Sequence, residues 1–320
     1  MANEVEIVKG ASLWQDAWKR LLKNKLAVFG LVVMAIMAFA VIFGPMILYW
    51  ATGFTADGIP ENGDLIRSFP PSLLHPMGTD EAGRDLLARV LQGGRISLMV
   101  GVISTFVSLI VGVSYGAIAG FVGGKIDNVM MRIVDMIYAI PYILIVIVLL
   151  SVFGGQNTPD WIQFLSEKVG GAGNQGLSQI FLLFFALGLV SWLTMARVVR
   201  GQVLSLKNQE FVLAAKATGV STFGIIFRHL VPNTLGPVIV YATLTVPSVM
   251  LTEAFLSYLG LGVQAPFASW GSLASDGVKN IAIFPWQLLF PGLTMAMTLF
   301  SLNFLGDGIR DALDPQTRKF

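Results

Sequence analysis

The chain has 320 residues, of which 55% are hydrophobic and only 12% are charged, and its mean hydropathy is +0.73. A soluble globular domain of that composition would expose large apolar patches, so the composition excludes one and specifies an integral membrane protein. A net charge of +2 gives no basis for nucleic-acid binding, and zero cysteines exclude disulfides, thiolate metal sites and cysteine nucleophiles.

Over 12–25, Trp14, Ala17, Trp18, Leu21 and Leu22 fall on one helical stripe, with Lys19, Arg20, Lys23 and Lys25 off it. That pattern predicts an interfacial helix along the cytoplasmic leaflet; a basic extension of the first span is the alternative. Residues 26–50 carry no charge and are too long for the apolar core of a secretory signal, so they predict a retained span. Because about 20 residues cross the hydrocarbon, the sequence predicts an all-α polytopic protein with six spans at 26–49, 96–121, 131–153, 178–199, 233–255 and 284–306. The expected division is a cytoplasmic segment with the interfacial helix at 1–25, a six-span body at 26–306 and a cytoplasmic tail at 307–320. Two connections, 50–95 and 154–177, read as loops with short helices.

With the N-terminus inside, 15 of the 21 Lys and Arg residues fall on the inner side and six on the outer. The bias predicts that both termini are cytoplasmic. The second span repeats small residues every fourth position, at Ser104, Ser108, Gly112, Gly116, Gly120 and Gly124. Such a stripe stacks on one helix face and lets a neighbour's backbone approach, so Gly112, Gly116 and Gly120 are expected packing residues; lining a passage is the alternative. Pro141, Pro237, Pro247 and Pro291 interrupt spans and predict bends. Span centres lack ionisable residues, with Asp135 and Glu253 near span ends, which leaves no internal ion relay to power a coupled carrier.

Enzymatic chemistry has no visible site. His75 and His229, the only histidines, fall on opposite faces of the predicted topology, and neither a His-Glu-x-x-His nor a Gly-x-Ser-x-Gly pattern occurs. Gly124-Lys125 lacks the spaced glycine of a phosphate loop. No cofactor is expected in the chain.

The most informative stretch is 210–232, a charged, helix-forming insert between two apolar segments. Ala214, Ala215 and Ala217 favour helix, Gly219 permits a sharp change of direction, Ser221 can cap a second short helix, and Pro232 is expected to help end it. Two short helices at an angle make a knob able to fill a groove in a soluble partner.

This stretch resembles the cytoplasmic loop of bacterial ABC importer permeases, written Glu-Ala-Ala, three residues, Gly, nine residues, Ile-x-Leu-Pro. Ala214, Ala215, Gly219 and Pro232 match, while Leu213, His229 and Val231 replace the Glu, Ile and Leu. Further blocks at 23–33, 77–95, 253–271 and 306–315 resemble C-type permeases of the oligopeptide, dipeptide and nickel family, nearest its oligopeptide branch. The resemblance covers nearly the whole chain; the 154–177 connection is longer than usual.

The resemblance implies a type I importer permease fold in a bacterial cytoplasmic membrane. Its implied partners are a homologous B-type permease subunit, two ATPase subunits carrying ATP and Mg, an extracytoplasmic peptide-binding protein and the peptide. Lys207, Glu210, Phe211, Ala214, Ala215, Lys216 and Gly219 are then the expected ATPase-coupling residues, with Ala215 the natural place for a cross-linking cysteine. Arg84, Asp85 and Glu253 are expected at an external gate or docking surface, with local hydrogen bonding as their alternative role. Permeases for dipeptides or nickel, and an ATP-independent secondary carrier, remain alternatives.

Overall fold

The computed structural model describes residues 13–59, 68–170 and 175–313; expectations that fall on Ser12, the Trp14 side chain and 314–320 lie outside them. The described residues are helical apart from connecting loops. A short amphipathic helix, α1 (Leu13–Lys23), precedes α2 (Lys25–Thr52), whose first turn is capped by Asn24 and whose end is closed by Gly53 at φ +76°. After a loop come α3 (Leu86–Val122), α4 (Gly124–Tyr138), α5 (Tyr142–Phe153), α6 (Asp160–Gly170), α7 (Gln175–Leu206) and α8 (Glu210–Ala217). The one-turn α9 (Thr222–Gly224) leads into α10 (Val231–Tyr258), and α11 (Trp270–Lys279) and α12 (Trp286–Leu313) complete the chain.

Five segments are long and apolar enough to cross a membrane: α2, α3, α7, the stretch from α9 through α10, and α12. The third expected span is not one rod, because α4 and α5 meet at 83°. Pro141 sits at the break as the residue before α5; it lacks an N–H and disfavours helix for the residue before it. The pair nevertheless makes the return crossing. Ser104 Oγ donates to the Phe184 carbonyl at 3.0 Å, Gly112 abuts Met195, Gly116 abuts Ala196 and Gly120 abuts Val203, so α3 and α7 run parallel. Parallel neighbours require the intervening chain to travel back, which yields six crossings.

The α3–α7 seam depends on glycine. A Cβ on Gly116 would collide with the Ala196 carbonyl, and one on Gly120 would stand 2.9 Å from the Arg200 carbonyl. The stripe ends there, since Gly124 begins α4 at φ +60° in open space. On its other faces α3 meets α10 in the opposite sense, Gly101 against Val246 and Met250, while α2 and α12 pack antiparallel through Gly30 and Gly308. The bundle therefore has a foot, holding α1, α8 and the end of α12, and a head, holding α6, α11 and the loop before α3.

Four features differ from the sequence reading. First, α3 begins at Leu86, inside the expected loop, where Asp85 caps it by accepting from Ala88 N at 2.7 Å. Second, α11 is a helix in a connection to which the sequence reading assigned no element, nucleated by a reciprocal Ser269–Ser272 capping box. Third, α12 continues past the expected span end to Leu313, so 307–313 extend the last helix. Fourth, Pro232 ends nothing: a π-helical turn, Ile225–Leu230, directs Val231 N–H to the Ile226 carbonyl and places Pro232 in a fresh first turn, where its missing donor costs little.

An unforeseen proline is met by an arginine. Pro45 lies inside α2 and removes the donor for the carbonyl four residues back. Arg95 of α3 supplies it, Nε donating to the Val41 carbonyl at 2.6 Å and Nη2 to the Ile42 carbonyl. An arginine at a span end thereby takes up the Val41 carbonyl that the proline leaves without its helical donor. Arg95→Met is expected to destabilise the protein by about 1–3 kcal/mol, read as a lower melting temperature in detergent. Pro45→Ala in the same chain should recover much of the loss, whereas equal losses with and without Pro45 would show that the pairing is unimportant.

Candidate functional site

At the foot, α8 is a small exposed lever with a fixed root. Val212 and Ala215 are buried and pack with Val199, Val203, Ile225, Ile226 and Leu230. The helix is stopped by two bonds, Gly219 N–H to the Lys216 carbonyl at 3.1 Å and Val220 N–H to the Ala215 carbonyl at 3.0 Å. That pattern needs a left-handed residue, and Gly219 has φ +77° with open space around it. Ser221 Oγ then accepts from Gly224 N at 3.2 Å and starts the next helix.

Burial sorts the expected coupling residues into two groups. Glu210, Phe211, Leu213, Ala214 and Ala217 face outward. Ala215 does not: it points into the chain's own core, so a cysteine there would be hidden. Lys207 Nζ donates to the Gly120 carbonyl at 3.2 Å, and Lys216 Nζ lies 5.2 Å from the Phe121 ring centroid. Both lysines thus tie the lever to the foot of α3 instead of pointing away from it. Phe223, absent from the sequence expectation, is exposed beside Phe227 with ring centroids 4.4 Å apart; an aromatic pair four residues apart was its available signal.

The break between α4 and α5 opens a cavity of about 470 Å³ against α7 and α10. Tyr138, Tyr142, Ser191, Thr194, Tyr241, Thr245, Ser248 and Thr252 supply its polar groups, and Ile137, Ile140, Val190 and Leu244 its apolar ones. No charged side chain lines it. Sequence reasoning missed this site, although Tyr241, Thr245, Ser248 and Thr252 recur at spacings that share one helix face. Near the foot, Arg200 grips the buried Asp127 with Nε and Nη2, each at 2.6 Å, and Arg197 pairs with Asp135 at 2.8 Å. These pairs fasten α4 to α7 and hold that side of the break.

At the head, the expected gate residues are structural ties. Glu253 is 1% exposed, accepting from Ser257 Oγ at 2.7 Å and Ser269 Oγ at 2.6 Å, with Ser97 Oγ at 3.5 Å. Ser97 Oγ also accepts from Trp270 N at 3.0 Å, so one carboxyl joins α3, α10 and α11. Asp85 is buried between its capping bond and His75 Nδ1 at 2.8 Å. His75 stacks on Phe54, far from His229 at the foot. Arg84 Nε donates to Asp80 at 2.7 Å. Glu253 and Asp85 therefore have no surface to offer a partner, which corrects that expectation in favour of local hydrogen bonding. Among the described residues no group of three His, Asp or Glu side chains could hold a metal ion.

Comparison with known proteins agrees with this architecture. Residues 112–319 match the family of binding-protein-dependent transport system inner membrane components, and the chain belongs to that family. Residues 12–61 match the N-terminal transmembrane domain of oligopeptide transport permease C. The oligopeptide transport system permease protein OppC of Escherichia coli K12 is 48% identical over 97% of this chain and 94% of its own length. OppC of Haemophilus influenzae is 45% identical over 97% and 91%. The dipeptide transport system permease protein DppC of Bacillus subtilis is 43% identical over 99% and 91%. This family assignment makes the chain a membrane permease.

Removing the Glu253 carboxyl would strand the hydroxyls of Ser257 and Ser269. Glu253→Ala is expected to cost about 1–3 kcal/mol and to lower the melting temperature of purified protein. An unchanged melting temperature would show that the head is held elsewhere.

Proposed function

We propose that the chain is the permease subunit of an ATP-driven oligopeptide importer, forming half of the translocation path and taking mechanical work from ATPase subunits through α8. The observation that carries this is the division of α8 into a buried root, Val212 and Ala215, and an outward face bearing Phe211, Leu213 and Ala214. An eight-residue helix gains little stability from its own backbone, so an apolar outward face on so short an element suits a protein groove.

Charge bias supports placing the foot in the cytoplasm, because the inner segments hold most of the Lys and Arg. In that orientation the B-type permease completes the path, the ATPases bind ATP and Mg at the foot, and an external binding protein delivers peptide to the head. The chain itself has no catalytic step. Closure of the ATPase dimer moves α8; Lys207 and Lys216 pass the motion to α3, and the buried root passes it to α7 and α10. These helices tilt together, alternating access to the neutral, hydroxyl-bearing cavity at the break. A lining of tyrosine, threonine and serine hydroxyls can hydrogen-bond peptide backbone without selecting side-chain charge.

Ala214→Cys, the only cysteine in the chain, is expected to cross-link to a cysteine engineered in the ATPase groove, while Ala215→Cys stays unreactive. Failure at 214 and at its exposed neighbours 211, 213 and 217 would refute docking through α8. Gly219→Val should abolish ATP-driven peptide uptake while the spans still insert, since a β-branched residue resists φ +77°; normal uptake would sink the lever.

A further inference from the structure

The loop before α3 presents two leucines at a clasped tip. Ser72 N–H donates to the His75 carbonyl at 2.9 Å, and His75 N–H returns a bond to Ser72 Oγ at 3.1 Å. Leu73 and Leu74 are held between these partners, Leu73 fully exposed and Leu74 62% exposed. The base is fastened twice more, by Thr79 N–H to the Phe69 carbonyl and by Leu86 N–H, at the start of α3, to the Gly78 carbonyl, each at 3.0 Å. A tip so clasped has no slack to fold its leucines back onto the bundle. Leaving two adjacent leucines in water is unfavourable, and no charge accompanies them: from Ser68 to Thr79 the sequence has no Asp, Glu, Lys or Arg.

The height of the tip follows from His75. Its ring stacks on Phe54 with centroids 4.7 Å apart, and Phe54 lies two residues beyond the end of α2. With 28 residues, α2 is about 42 Å long, more than the roughly 30 Å of hydrocarbon, so its last turn stands among headgroups. Tyr49 and Trp50 in that turn are 54% and 76% exposed, and they are the residue types enriched where a span meets water. The tip is therefore tied to the boundary between membrane and water. An uncharged, rigid pair of leucines at that level suits acyl chains.

We infer that Leu73 and Leu74 form a lipid anchor: they insert between phospholipid headgroups of the leaflet at the head, beside the end of α2. The same clasp carries the hold of the anchor inward. His75 Nδ1 lies 2.8 Å from Asp85, and Asp85 caps the first turn of α3. Lipid thereby steadies the starting end of the helix on which the α3–α7 seam is built.

The test exploits the absence of cysteine. Leu73→Cys and Leu74→Cys are each spin-labelled in the full chain, reconstituted in phosphatidylcholine nanodiscs. Collision of the label with oxygen, which enters the bilayer, is compared with its collision with a water-soluble nickel chelate. Ile47→Cys, exposed on α2 within the span, and Asn208→Cys, exposed in the turn before α8, set the lipid and water limits. Both tip labels are expected to show an oxygen-to-nickel ratio about tenfold above that of Asn208→Cys, because apolar surroundings exclude a polar chelate. A ratio equal to that of Asn208→Cys at both positions would overturn the inference. Low collision with both reagents would overturn it too, showing the tip covered by protein, either 60–67 of this chain or another subunit. Because both leucines stand off the bundle, the labelled chains should melt at the temperature of the parent, so a water-like ratio would not reflect misfolding.

Discussion

Two backbones in van der Waals contact along the α3–α7 seam set the geometry of everything else. Lipid offers no hydrophobic drive for helices to associate, so close packing has to come from surfaces without side chains in the way. Gly112, Gly116 and Gly120 provide such a surface, and Gly188 on α7 returns it against Val107 and the Ser104 carbonyl. Because the two helices are parallel, the chain between them must cross back. It does so as a bent pair, and the bend creates the cavity. A side chain on Gly116 would therefore do more than loosen a contact; it would displace the wall on which α4, α5 and the root of α8 are all built.

Charge is confined to the two ends of the bundle. Toward the foot, Asp127 and Asp135 bind Arg200 and Arg197; toward the head, Asp80 holds Arg84 and Arg89. The cavity between them is lined by hydroxyls, rings and aliphatic groups alone. Ion pairs and capped helix ends fasten each end, while the cavity in the middle is bordered by a proline break and has no ion pair. A molecule that alternates between two openings needs that distribution, with stiffness where partners push and freedom where the passage changes shape.

Lys207 and Lys216 show why the lever cannot be understood from α8 alone. Read as surface charges, they would bind a partner. Folded, one reaches the Gly120 carbonyl in the last turn of α3 and the other lies over Phe121. The favourable end of a helix dipole for a cation is its C-terminus, and α3 ends beside the point where the chain enters α8. The two lysines bind the lever to the seam, which converts a local knob into part of a long rigid body.

Composition alone decided that the chain lives in a membrane, since apolar length has no other solvent. Local chemistry also decided the turn at Gly219, the cap at Ser221 and the packing stripe, because each depends on neighbours within about one turn of helix or on the side-chain period. The neutral, broken character of the third span was half legible: Pro141 announced a bend, but its 83° angle and the ion pairs that pin α4 to α7 are seen only in the fold. Whether Ala214 or Ala215 faces outward, whether Glu253 meets a partner or three serines, and where Pro232 falls relative to a helix start were decided only by tertiary structure. The sequence lists which groups are present and how they repeat; rotation of a helix about its axis, and hence burial of any one residue, is set by contacts with segments distant in the chain, as when Trp270 finds the Val90 carbonyl 180 residues away.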